Sequence, residues 1–175
     1  LRFHKWAFMR FPPHNLTPVD RAEERELFLR ARAMLISHHR LPGPQETANS
    51  ILYLCSDKNY DISSLSANNR SKVRRGERLL DVRRVTALEV AEKGYSCHRD
   101  TCDRNGLATI SEEAYKLKWE KDTEPPHREL WAAFAGADIA ALGVVWVCGK
   151  WAELFSTESA DQYLKYYSNH VLFYN

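Results

Sequence analysis

The stretch LSANNRSKVRRGERLLDVRRV, Leu65–Val85, carries the reading of this chain. Seven cationic side chains (Arg70, Lys72, Arg74, Arg75, Arg78, Arg83, Arg84) stand against Glu77 and Asp81 alone, so the segment holds +5 in a chain whose formal charge is +2. A positive field that concentrated raises the local density of anionic partners. Ser63 or Ser64 offers an N-cap for a helix through the segment, ending near Gly76. On that helix Arg70, Arg74 and Arg78 fall at i, i+4 and i+8 and share a face, with Arg75 beside them. Their forked guanidinium groups can each hold two phosphate oxygens, which makes the face an anion groove for a phosphate-bearing small molecule, CoA or a nucleic-acid backbone. The competing reading is a solvated face whose arginines pair with Glu23, Glu24, Glu112 or Glu113.

Outward from this segment, Val82 and Val85 flank Arg83 and Arg84 in a short strand. Thr86-Ala87-Leu88-Glu89 is a capping box that starts a helix, interrupted at Gly94. Ser111 caps a further helix, with Ile110 placed to staple against Tyr115. From Arg128 the period changes to that of strands: Arg128 to Phe134, Ile139 to Cys148 and Trp151 to Ser156. Tight turns at residues 135–138 and at Gly149-Lys150 make them an antiparallel meander. Upstream, Pro42-Gly43-Pro44 breaks the chain. This gives residues 1–48 as an N-terminal strand and amphipathic helix packed on the main body, and residues 49–175 as that body. The helix begins with Thr17 as N-cap and Pro18 at its first position, and runs about five turns. Its apolar stripe (Val19, Ala22, Leu27, Phe28, Ala31, Met34, Leu35) belongs to the core, and His38-His39 meet the negative end of its dipole. Ile51–Cys55 reads as a short buried strand.

This order resembles the opening of the GNAT acetyltransferase fold, in detail its FemAB-like branch. The likeness rests on three passages: the basic helix ending in Gly76 before the strand Asp81 to Val85, the hairpin Trp131–Val144, and the tail Tyr163–Leu172. It implies an α+β fold in which a mixed, mostly antiparallel sheet carries helices on both faces. It also implies transfer of an acyl or aminoacyl group to an amine, from acetyl-CoA or another acyl donor. Glu153, on the third meander strand, is where a general base could sit in such a fold; alternation places it outward equally well. The family holds the CoA pyrophosphate on a Gly-rich loop at a helix N-terminus after the meander. No such loop follows Ser156, and Asp103–Ala108 is out of register and reads as a loop. The resemblance therefore implies a half-module, doubtful as a catalyst unless another chain completes it. The alternative is a non-catalytic homodimeric assembly module that pairs through its sheet edge and aromatic tail. Nucleic-acid binding through the basic helix has no recognition-helix or RNA-binding signature behind it.

Composition narrows the field. Apolar residues make up 44% and charged residues 27%, as in globular proteins, so low-complexity and fibrous classes are excluded. No apolar run reaches the roughly 20 residues that cross a bilayer. Cys55, Cys97, Cys102 and Cys148 are spread as reduced thiols would be in a cytoplasmic protein. Cys97-His98-x-x-x-Cys102 lacks the second ligand pair that zinc needs, so no metal site is expected.

Overall fold

A computed structural model describes residues 2–4, 7–9, 15–17, 19–30, 34–37, 39–48, 53–122 and 126–175. They fall into two compact units, Leu1–Lys58 and Asn59–Asn175. In the first, strands β1 (Arg2–His4) and β2 (Ala7–Met9) pair antiparallel where one strand was expected. Helix α1 (Arg21–Arg30) then leads to β3 (Leu35–Ser37), which lies parallel to β2. The five-turn helix is thus corrected to ten residues. Asp20, not Thr17, caps it: its Oδ1 accepts the Glu23 N–H at 2.7 Å and its carbonyl accepts the Glu24 N–H.

Six of the ten α1 residues are charged, and α1 ends at Arg30, before Met34 and Leu35 of the expected stripe. Among the described residues the stripe forms no core. Phe28 is 45% and Met34 78% exposed, against the expectation that both are core. His39 lies well past the end of α1 and has no helix dipole to meet; His38 and Pro18 lie outside the described residues. Tyr53–Cys55 form no strand, and all three are exposed; Ile51 and Leu52 lie outside the described residues. An apolar run becomes a strand only where a sheet edge takes up its backbone groups. Among the described residues no strand pairs with 53–55.

In residues 59–175 most elements form where the pattern places them. A 3₁₀ turn, Ile62–Ser64, is capped by Asp61, whose side chain accepts the Ser63 N–H. Helix α2 (Ala67–Gly76) takes its cap from Ser66, not Ser63 or Ser64, because Ser66 Oγ reaches the Asn69 N–H. Strand β4 (Asp81–Arg84) follows, then α3 (Ala87–Lys93) behind the Thr86/Glu89 capping box. Gly94 ends α3 and opens α4 (Tyr95–Asn105), which stops at Gly106 in the left-handed region that glycine tolerates. Asp103-Arg104-Asn105, expected in a loop, is therefore the last turn of α4. Ser111 caps α5 (Glu112–Glu120). The meander is β5 (Arg128–Ala135), β6 (Asp138–Cys148) and β7 (Trp151–Ser159), and a second 3₁₀ turn, Asp161–Tyr166, leads into α6 (Ser168–Tyr174).

The sheet order is β4-β5-β6-β7, antiparallel throughout. One face packs Phe134, Ile139 and Leu142 under Val90, Tyr115 and Trp119 of the α3–α5 layer. The other packs Ala133, Ala140 and Ala141 against Leu80 and, from α6, Val171 and Leu172. Helices thus lie on both faces, as expected. Gly76 is required where α2 meets α6: a Cβ there would run into Val171 Cγ2 and stand 2.7 Å from the Tyr166 carbonyl.

Candidate functional site

The four arginines singled out in the sequence do not share one surface. Arg70 turns back along α2, and its Nη1 donates to the carbonyls of Ser63 (2.9 Å) and Leu65 (2.7 Å), tying the 3₁₀ turn to the helix. Arg78 lies beyond the end of α2, whose last residue is Gly76. The i, i+8 spacing therefore fails for Arg78. It lines a polar cleft of about 490 Å³ together with Arg83, Lys93, Glu77 and Asp81. Arg83 is already engaged there: it pairs with Glu89 at 2.8 Å and lies 4.1 Å above the Phe134 ring.

Arg74 and Arg75 remain as exposed cations of α2. Arg75 stacks on Tyr167, 5.3 Å from its ring centroid. Among the described residues neither pairs with Glu112 or Glu113. Lys72, about one turn before Arg75 on α2, approaches His170 of α6: Nζ and Nε2 are 3.5 Å apart. Burial, and then the Lys72 charge, hold the His170 imidazole below its ordinary pKa. Sequence reasoning missed this pairing, since 98 residues separate the two.

On β7 the sheet does something the alternation does not foretell. The register shifts between Val144 and Val145, so Phe155 sits as an extra residue between Leu154 and Ser156. Such a bulge re-aims the side chains beyond it. Glu153 lies opposite Trp146 and Glu158 opposite Leu142. Positions 142 and 146 share a face of β6, so both carboxylates share the α3–α5 face in spite of their odd spacing. Both residues are half-buried.

Glu158 Oε1 meets His98 Nδ1 of α4 at 3.0 Å. The His98 ring lies 5.1 Å from that of Tyr115, and Cys102 Sγ is 3.8 Å from Nε2. Burial, with Glu158 nearby, pushes the Tyr115 hydroxyl well above its usual pKa. Beside them Arg104 bonds the Ser159 carbonyl (2.9 Å) and Oγ (2.8 Å) and pairs with Asp161. This polar network stitches α4 to β7. The Cys97-His98-Cys102 motif belongs to it: Cys97 Sγ donates to the Ile139 carbonyl instead of facing the other two. Among the described residues no group of three His, Cys, Asp or Glu side chains is placed to hold a metal ion, and no helix is long and apolar enough to cross a membrane.

The segment after β7 does not fit a pyrophosphate cradle. No glycine occurs after Gly149. The N–H groups of Ser159, Ala160 and Asp161 are already bonded, to Thr101 Oγ1, the Ala140 carbonyl and Asp100 Oδ2.

No family model matches the sequence, and comparison with curated proteins finds no match. Comparison of the fold with solved structures does. The crystal structure of FemX aligns with a TM-score of 0.51 at 13% identity, over 65% of this chain and 44% of FemX. An aminoglycoside acetyltransferase from an uncultured soil metagenomic sample, in complex with sisomicin, aligns at 0.40 and 9% identity, over 55% of this chain and 66% of that one. The fold is that of part of a GNAT-like module, α+β with a four-stranded antiparallel sheet. This chain spans less than half the length of FemX.

Proposed function

We propose that the protein is acyltransferase-like, of the FemAB-like type, and takes part in moving an acyl or aminoacyl group to an amine. The observation that carries this reading is the GNAT-like sheet, whose alignment with FemX supplies the scaffold. In that reaction the amine nitrogen attacks the acyl carbon, the bond from that carbon to its carrier breaks, and the nitrogen must shed a proton. Glu153, half-buried on a sheet face shared with Trp146, is the group proposed to accept it. The proton then passes to the departing carrier, which closes the balance. The donor is an acyl or aminoacyl carrier such as acetyl-CoA. No contact to a CoA pyrophosphate is assigned after β7, for the reason given above.

The test is mass-spectrometric detection of an acylated primary amine, with acetyl-CoA and aminoacyl-tRNA as separate donors. Expected are product with one donor and a loss of about 10²-fold or more in Glu153→Gln, the usual worth of a general base. No product with either donor, and no thermal stabilisation by either, overturns the reading.

A second reading has its own observation. Strand β7 is one of the two edges of the sheet, with Leu154 and Phe155 47% and 43% exposed. Proteins cover such edges, and a homodimer or a second chain completing the sheet is the proposed cover. Light scattering across a concentration series reads it directly, since a monomer at every concentration contradicts it. Stabilisation by short DNA instead of a donor would favour an anion- or nucleic-acid-binding protein.

A further inference from the structure

Tyr167 is the one residue other than glycine, among those described, with a positive φ (60°). A side chain with a Cβ enters that region only against steric resistance. Such outliers persist where the surroundings impose them, and they cluster at binding sites. At Tyr167 the conformation turns the chain from the 3₁₀ segment into α6 and sets the ring beneath Arg75. The same turn brings His170 to the ring edge, at 86° and 6.0 Å. Lys72 and Arg75, three apart on α2, share a face, and Lys72 Nζ reaches His170 Nε2.

Three groups able to carry positive charge thus crowd around one half-buried tyrosine. Among the described residues no carboxylate pairs with Lys72 or Arg75. Like charges brought together without a counter-charge repel, and the Lys72 charge adds to burial in lowering the His170 pKa. An anion seated among the three would offset that repulsion. We propose that Lys72, Arg75 and His170, gathered around Tyr167, bind a terminal phosphate or diphosphate group. One cation would suffice for a carboxylate. A multiply charged phosphate has oxygens for a point-charge ammonium, a forked guanidinium and an imidazole N–H together. This site is built of side chains, in contrast to the backbone cradle that the segment after β7 does not offer. It stands apart from the acyl-transfer reading, and its test contains no acyl donor.

The full chain is titrated with inorganic pyrophosphate at constant ionic strength, and the histidine ring protons are followed by NMR. The His170 signal is expected to shift, with its pKa rising on binding, because a neighbouring anion favours the imidazolium. Lys72 of α2 and the Tyr167 ring face this imidazole, with Arg75 across the tyrosine. The double variant Lys72→Gln/Arg75→Gln is expected to weaken binding at least tenfold with its melting transition retained. Arg84→Gln, which removes a cation paired with Glu129, leaves it unchanged. A short DNA strand without terminal phosphates should compete no better than chloride. An unmoved His170 signal in the wild-type chain overturns the proposal, as does equal weakening by Arg84→Gln or displacement of pyrophosphate by that DNA.

Discussion

Among the described side chains, residues 59–175 bury an apolar core, whereas none of the apolar ones in residues 1–58 is buried. In the larger unit Val90, Tyr115, Leu142 and Val171 are at most 1% exposed, because each meets a face of the β4–β7 sheet. In the smaller unit Phe28, Leu29, Met34 and Tyr53 are 45%, 67%, 78% and 94% exposed. Sheet extent separates the two. Strands of 8, 11 and 9 residues make two faces wide enough to cover whole helices. The strands of the smaller unit run three residues each. Apolar content alone therefore does not make a core; a surface to bury it against does.

The sharpest way to break this contrast is cysteine chemistry, where the expected effect is largest. Cys97 is fully buried, and burial pushes its thiol up to about 12 from 9.0. The thiolate is the reactive form, so its population at pH 8 falls by about a thousandfold. Raising the pH toward 10 still leaves the thiol protonated, so its alkylation should stay slow across that range. Cys55 is exposed, in the smaller unit. Peptide mapping after timed iodoacetamide treatment of the native chain is expected to show Cys55 labelled long before Cys97. Comparable rates would mean that the core of residues 59–175 opens freely.

Next comes packing. Leu142→Ala removes a side chain that is 1% exposed and packed beneath the α3–α5 layer, and should cost about 2–5 kcal/mol in denaturant unfolding. Met34→Ala at 78% exposure should lie within about 0.5 kcal/mol of the parent. If the two costs converge, Met34 is covered in solution by something that buries it, and the contrast between the units is narrower than the exposures state.

What could be read from residue order follows the same divide. The Thr86/Glu89 box, the Ser111 cap, the stop at Gly76 and the three meander strands are local signals, and each forms where its signal lies. The stripe through Phe28 and Met34 is equally regular in sequence but needs a partner surface, and its last part became β3. Arg70 and Arg78 misled because spacing along a helix says nothing about which backbone carbonyls wait nearby or where the helix ends. Lys72 with His170, and His98 with Glu158, are joined by tertiary folding across 98 and 60 residues. The bulge at Phe155, which aligns Glu153 with Glu158, is set by its pairing with β6 and has no mark in the sequence of β7.

The smallest expected effect compares the two units through their helix caps. Thr86 Oγ1 accepts the Glu89 N–H at 3.2 Å while the Glu89 carboxylate returns to the Thr86 N–H at 3.1 Å. Glu89 also holds Arg83, and that bond is the main cause of its lowered pKa. Removing the hydroxyl in Thr86→Ala should cost about 1 kcal/mol, because α3 is packed on the sheet and its first turn cannot fray without exposing Ala87 and Val90. Asp20 caps α1 with a shorter bond, 2.7 Å. Yet Asp20→Ala should move the unfolding midpoint less, because little apolar surface rides on the first turn of α1. Equal shifts for the two variants would show that α1 unfolds together with the sheet, and that the smaller unit draws on the same cooperative core as the larger one.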